Sequence, residues 1–220
     1  MATTTSEERD ADDRSWYIVG RWREYQGEGR SNLLRIVGIA AFYSVELANY
    51  RGFRLGYFEM PRLETVDRPF HLAVTALAVA WTMTALAVQI CLRRQVFPAS
   101  LKFLSTGADI ALMTCVLCIS NGPRSPLVVG YFVIVALAAL RFSLPLVWFA
   151  TVGSMLGYLA VLGHAKWFAA GDLRVPRYHE VMFLLALGLT GITIGQVLRA
   201  VRSMAVDYGA RRAAETGRGS

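Results

Sequence analysis

The chain alternates between long apolar runs and short polar breaks. Six runs approach the roughly 20 residues that a helix needs to cross a hydrocarbon core about 30 Å thick. They cover residues 32–50, 71–92, 101–120, 126–140, 143–163 and 179–198. Because these runs are too long and too continuous for the alternating strands of a membrane barrel, they predict membrane-spanning helices.

The pattern predicts an all-α, polytopic membrane protein with a six-transmembrane-helix bundle. Residues 1–31 form a polar N-terminal segment, 32–198 the membrane domain, and 199–220 a basic helical tail. Within the first segment, aromatic residues such as Trp16 and Trp22 alternate with arginines, which is typical of an amphipathic stretch lying at a membrane interface.

Composition indicates the class of protein, and the distribution of charge predicts its orientation in the membrane. The chain is 55% hydrophobic and only 18% charged, below the roughly one quarter of a soluble domain, which excludes an ordinary soluble enzyme. In the loops, the terminal segments and the first turn of the third span, 14 Lys and Arg residues lie on the side of the termini and eight on the other. This excess predicts cytoplasmic termini in the inner membrane, and it points to lipid rather than nucleic acid as the partner of the net charge of +7.

Asp109 lies within the third apolar run, where an ionised carboxylate is costly and needs a partner or water. Two interpretations stay open: a structural one, with bonds to Thr106, Thr114 or a neighbouring helix, and a functional one as a proton or cation site. An intramembrane aspartyl protease would need two facing carboxylates. Glu46, the nearest second acid, is expected near the outer end of the first span, which argues against that activity.

His71, His164 and His179 are the three histidines of the chain, and all are expected at the outer ends of spans. Three imidazoles at one level could bind a metal or haem, since neutral imidazole is a common ligand. The alternative is that helix ends simply tolerate histidine. The expectation is no cofactor, with haem or metal as the alternative.

Two pairs of glycines follow the G-x-x-x-G spacing that brings two glycines onto one helix face. They are Gly153 with Gly157, and Gly191 with Gly195. Such a face lets another helix approach closely, so the pairs predict helix packing in the fifth and sixth spans.

The stretch from Asn121 to Leu127, with the sequence NGPRSPL, predicts a rigid outer turn with Pro126 at a helix start. Together with Asp109 upstream and Tyr131 downstream, this turn, with Arg124 and Ser125, resembles the N-terminal membrane-sensor regions of bacterial histidine kinases and diguanylate cyclases. The resemblance covers about residues 101–158. It implies a sensor region whose last span continues as a cytoplasmic helix, here without an output domain.

The leading functional expectation is a sensory, scaffold or partner-binding subunit without catalysis of its own, and so not an enzyme. Val197, Val201, Met204 and Tyr208 follow the 4-3-4 spacing of a coiled-coil stripe, which predicts a homo-oligomer or a partner protein bound through the C-terminal helix. Two alternatives remain: a subunit of a membrane redox complex that binds haem or quinone near the outer face, and a small proton- or cation-coupled transporter.

Overall fold

The computed structural model describes residues 4–51, 53–55, 58–60, 68–94, 98, 100–168, 173 and 175–216. Within these ranges the protein consists of six α-helices and one pair of short strands. The helices are α1 (Thr4–Arg51), α2 (Arg68–Arg93), α3 (Leu101–Ile119), α4 (Gly130–Ala139), α5 (Leu144–Trp167) and α6 (Arg177–Thr216). The strands β1 (Phe53–Leu55) and β2 (Phe58–Met60) lie between α1 and α2.

Among the described residues, five helical segments are long and apolar enough to cross a membrane. They are Gln26–Ala48, Arg68–Arg93, Leu101–Ile119, Leu144–Trp167 and Arg177–Ala205. This confirms the helical, multi-pass membrane architecture. The fourth predicted span corresponds to a shorter apolar segment, Pro126–Ala139.

The strands β1 and β2 pair antiparallel, with Arg54 opposite Glu59. The sequence predicted only a loop here, and this short hairpin is a local addition to a fold that is otherwise helical in the described residues. Its residue types favour it locally, because Phe53, Leu55 and Phe58 are apolar and two of them are aromatic residues enriched in strands.

The chain divides into two compact units, Met1–Ser105 and Thr106–Ser220. In the first unit, α1 and α2 pack as an antiparallel pair. Tyr43 of α1 contacts Thr75 of α2 by a hydrogen bond of 3.2 Å, while Asn32, eleven residues earlier, bonds to the carbonyl of Ala85, ten residues later. The apolar contact on α2 is made by the buried residues Ala85, Val88 and Leu92.

The second unit has the larger core, in which each of its helices contributes fully buried apolar side chains. Leu117 of α3, Tyr131 and Val135 of α4, Leu146 and Val161 of α5, and Leu187 of α6 all have 0% exposure. Several other buried positions of α5, including Ala150 and Ala165, hold small residues. The unit is therefore a packed helical bundle.

The predicted turn between the third and fourth spans is formed by two 3-10 turns, Gly122–Arg124 and Pro126–Val129. Gly122 has a φ of 58°, a left-handed conformation that glycine adopts without steric cost. Pro126 starts the second turn, as predicted, and the Ser125 side chain accepts a hydrogen bond from the Leu127 amide at 3.3 Å.

Both ends of the chain continue as helix beyond the predicted spans. α1 runs without a break from Thr4 through the predicted boundary at residue 31, and α6 continues past 198 to Thr216. The side chains of the predicted interfacial stretch around Trp16 and Trp22, and the last four residues of the tail, lie outside the described part of the chain.

Candidate functional site

A buried polar cluster lies where α3 meets the turn between α4 and α5. We call Thr106, Asp109 and Arg141 the Arg141 cluster. Arg141 is 4% exposed and its Nη1 donates a 2.7 Å hydrogen bond to Thr106 Oγ1. Asp109, 3% exposed, follows Thr106 by one helical turn. In the described part of the second unit, Asp109 and Arg141 are the only buried charged residues, so opposite charges are buried close to one threonine.

The turn that carries Arg141 has an unusual backbone. Phe142 has a φ of 50°, the only positive φ of a non-glycine residue within the described chain. This reverses the chain, and Ser143 takes an extended conformation before α5. Ser143 occupies the N-cap position of α5, but its side chain makes no capping hydrogen bond there.

The same turn is bonded to α6. Arg202 Nη2 donates a 2.7 Å hydrogen bond to the backbone carbonyl of Phe142. Because Arg141 is bonded to α3 and the adjacent residue to α6, the turn is hydrogen-bonded to two helices. The sequence placed Arg141 in a loop and counted it only for orientation, and it missed both contacts.

Tyr131 of α4 is fully buried against α3 and α5. Its hydroxyl lies 2.8 Å from Thr114 Oγ1, and Thr114 also donates to the Ile110 carbonyl at 2.7 Å. Gly157 of α5 faces this pair, because a Cβ at Gly157 would lie 2.8 Å from Thr114 Oγ1 and 3.0 Å from the Tyr131 hydroxyl. These contacts join three helices.

The residues on which the family resemblance rests do not converge. Asp109 belongs to the Arg141 cluster, whereas Ser125 is buried in the turn at the opposite end of α3 and Arg124 is exposed there. Asn121 follows Asp109 by twelve positions, which corresponds to about 18 Å along a helix axis.

Glu46 and His71 form a pair in the first unit that the sequence did not predict. His71 Nδ1 lies 2.9 Å from Glu46 Oε1, and the side chains are 18% and 13% exposed. The Tyr50 ring stacks on the imidazole, with centroids 4.0 Å apart and an interplanar angle of 3°.

The other two histidines lie in the second unit. His164 stacks on Phe168 at 6.0 Å, and the ring centroids of His179 and Tyr178 are 4.4 Å apart. Across the described residues, no group of three His, Cys, Asp or Glu side chains is arranged to hold a metal ion.

A second polar cluster, missed by the sequence prediction, lies on one face of α1. Glu28, Ser31 and Asn32 are fully buried and Arg35 is 3% exposed. Asn32 Nδ2 donates to the Ala85 carbonyl and to Gln89 Oε1, both at 3.1 Å, and Arg35 donates to Asn32 Oδ1 at 2.9 Å. The 28, 31, 32, 35 spacing is visible in the sequence, but the predicted span began at residue 32.

The four glycines predicted to pack helices contact other helices of the same unit. Gly153 faces Ile110 of α3, and Gly157 faces the Thr114–Tyr131 pair. Gly191 lies directly against Thr151 of α5, and Gly195 faces Leu144 of α5. Each glycine therefore stands at a close approach within one chain.

Comparison of the chain with known proteins gave no relatives. No protein family, no curated protein and no solved structure matches it. A functional proposal therefore depends on the geometry and chemistry of the described residues.

Proposed function

We propose that the protein is a sensory or scaffold subunit of the inner membrane that acts through a partner bound to α6, rather than through catalytic groups of its own. The observation that carries this proposal is the length and exposed face of α6. The helix has 40 residues, about 60 Å, twice the thickness of a hydrocarbon core.

One face of α6 is apolar and exposed where the helix leaves the bundle. We call Val197, Val201, Met204 and Tyr208 the α6 stripe; these residues are 56%, 45%, 67% and 68% exposed. The apolar segment ends at Ala205, so the α6 stripe continues beyond it. A stripe with this spacing suits the side of another helix.

The bonds of the α4–α5 turn support a sensory role for this helix. Arg202 lies between Val201 and Met204 in sequence and is bonded to the Phe142 carbonyl. Arg141, the neighbour of Phe142, is bonded to Thr106, one helical turn from Asp109. A change of charge in the Arg141 cluster would act on the turn and, through Arg202, on α6. Such a signal requires that the partner bind two conformations of α6 with different affinities.

Six crossings with both termini in the cytoplasm are part of this proposal. The number of crossings comes from the six apolar runs, and the orientation from the excess of Lys and Arg on the side of the termini. This orientation would put the end of the α6 stripe on the cytoplasmic side. A cytoplasmic partner, or a second copy of the chain, could then contact it.

The test uses two variants that add the same charge at the same depth on different faces. Met204→Arg changes the α6 stripe, and Ser203→Arg changes the neighbouring face. A photoactivatable residue at position 208 should cross-link in native membranes to one defined protein or to a second copy. We expect Met204→Arg to abolish that product and Ser203→Arg to retain it. Absence of a protein product, or equal loss in both variants, would contradict the proposal.

Transport is the second candidate, because Asp109 is a buried acid within a candidate span. It predicts that proteoliposomes containing the protein take up protons or cations and that Asp109→Asn abolishes the uptake. Uptake equal to that of empty liposomes would exclude this candidate without affecting the partner-binding proposal.

A further inference from the structure

An apolar groove runs along the α5–α6 pair. Met155 of α5 forms part of one wall, and Val181, Leu185, Gly188 and Ile192 line the groove along α6. Its volume is about 310 Å³. Gly188 keeps the groove open, because no atom lies within 4 Å of the position that a Cβ would take there.

The length of this α5–α6 groove matches one leaflet of a membrane. From Val181 to Ile192 the helix advances eleven residues, about 16 Å. Half of a hydrocarbon core is about 15 Å. An acyl chain parallel to α6 would therefore fill the groove from the headgroup level to the bilayer centre.

Two basic residues stand above the groove. Arg177 precedes Val181 by one turn, and Lys166 follows Met155 by three turns, so each lies on the helix face that lines the groove. Both are exposed, and they lie at the ends of α5 and α6 that the connecting loop joins. The Lys166 ammonium lies 5.2 Å from the centroid of the Trp167 ring.

Aromatic residues mark the same level as a membrane interface. Trp167, Phe168 and Tyr178 are 70%, 78% and 65% exposed, and they flank the two basic residues. Exposed aromatic residues of this kind are enriched at the headgroup level of membrane proteins. Lys166 and Arg177 are thus at the depth of lipid phosphates.

We propose that the α5–α6 groove is a binding site for an anionic phospholipid, with one acyl chain along Gly188 and the headgroup phosphate between Lys166 and Arg177. The charges favour lipid over a second copy of the chain. A symmetric contact of two grooves would bring four positive charges together at the interface, whereas an anionic headgroup neutralises them.

The experiment is native mass spectrometry of the full-length protein in detergent, with phosphatidylglycerol and phosphatidylcholine of identical acyl chains. We expect phosphatidylglycerol to be retained in preference. Lys166→Gln and Arg177→Gln should each lower that preference about five-fold. Gly188→Leu should remove the retained lipid by filling the groove.

Two control variants separate the site from general effects. Arg68→Gln removes an exposed basic residue at the start of α2, and Gly38→Leu fills another open position, on α1. Both should retain phosphatidylglycerol like the unaltered protein. Equal retention of the two lipids, the same loss in Gly38→Leu, or a dimer that Gly188→Leu dissociates would each overturn the proposal.

Discussion

Gly157 is a position where one methyl group would disturb the contact of three helices. A Cβ there would approach the Thr114 and Tyr131 hydroxyls to 2.8 and 3.0 Å, and Tyr131 is fully buried and has no free space to retreat. Overpacking of this kind costs about 1–3 kcal/mol. We expect Gly157→Ala to lower the Tm in detergent by about 2–4 °C for each kcal/mol. Gly188→Ala, at an open position, should not lower the Tm, because a helix interior favours alanine over glycine. An equal loss in both variants would show that the contact at Gly157 is not tight.

Arg141 and Asp109 allow a test of charge compensation. Removing one of two opposite charges from a buried site leaves the other uncompensated, at a cost of about 3–5 kcal/mol. We expect Arg141→Met alone to destabilise the protein strongly and Arg141→Met with Asp109→Asn to recover part of the loss. A double-mutant cycle on unfolding free energies measures this coupling. Strictly additive losses would show that the two charges do not interact.

Single polar residues could be recognised in the sequence more readily than their partners. Asp109 is conspicuous because an acid within an apolar run is costly. The contact of Arg141 with Thr106 joins residues 35 positions apart, and it depends on how α4 packs on α3. No local pattern contains that information. The same holds for Glu46 and His71, which are 25 positions apart.

At the scale of helices, the α1–α2 pair is held by polar contacts along its length. The Asn32 side-chain amide donates two hydrogen bonds to α2, one to the Ala85 carbonyl and one to Gln89. Its oxygen accepts a third from Arg35, within α1. Hydrogen bonds between membrane helices contribute about 0.6 to 2 kcal/mol. We expect Asn32→Leu to lower the unfolding free energy by at least about 1 kcal/mol, measured by thermal unfolding in detergent. Ser44→Ala, which removes only an exposed bond within α1, should have little effect.

Hydropathy predicted where the helices lie along the chain, but it predicted the residues at which they begin and end less accurately. The candidate span in α1 starts at Gln26, six residues before the predicted start at 32. Glu28 and Ser31, which the sequence assigned to the N-terminal segment, are buried in this helix. The hairpin β1–β2 was missed because three-residue strands between apolar runs carry little pattern. The turn at Gly122 was predicted correctly, since its glycine and prolines constrain the backbone locally.

At the scale of the whole molecule, the distribution of charge predicts topology. We expect a fluorescent protein fused to either terminus to fluoresce in the cytoplasm, and a periplasmic phosphatase inserted in the turn at residues 121–125 to be active. The control exchanges the two reporters, with the phosphatase at a terminus and the fluorescent protein in the turn at residues 121–125. Active phosphatase at a terminus would contradict the predicted orientation.

The short fourth apolar segment has a consequence for the bilayer itself. Residues 126–139, four in a 3-10 turn and ten in α4, extend about 23 Å, less than the 30 Å of an average hydrocarbon core. Val129 and Val133 are exposed on this segment. With the six crossings proposed above, lipid beside it must thin to match. The protein should therefore be most stable in bilayers of short acyl chains. In a cell that has membranes of different thickness, it should concentrate in the thinner ones.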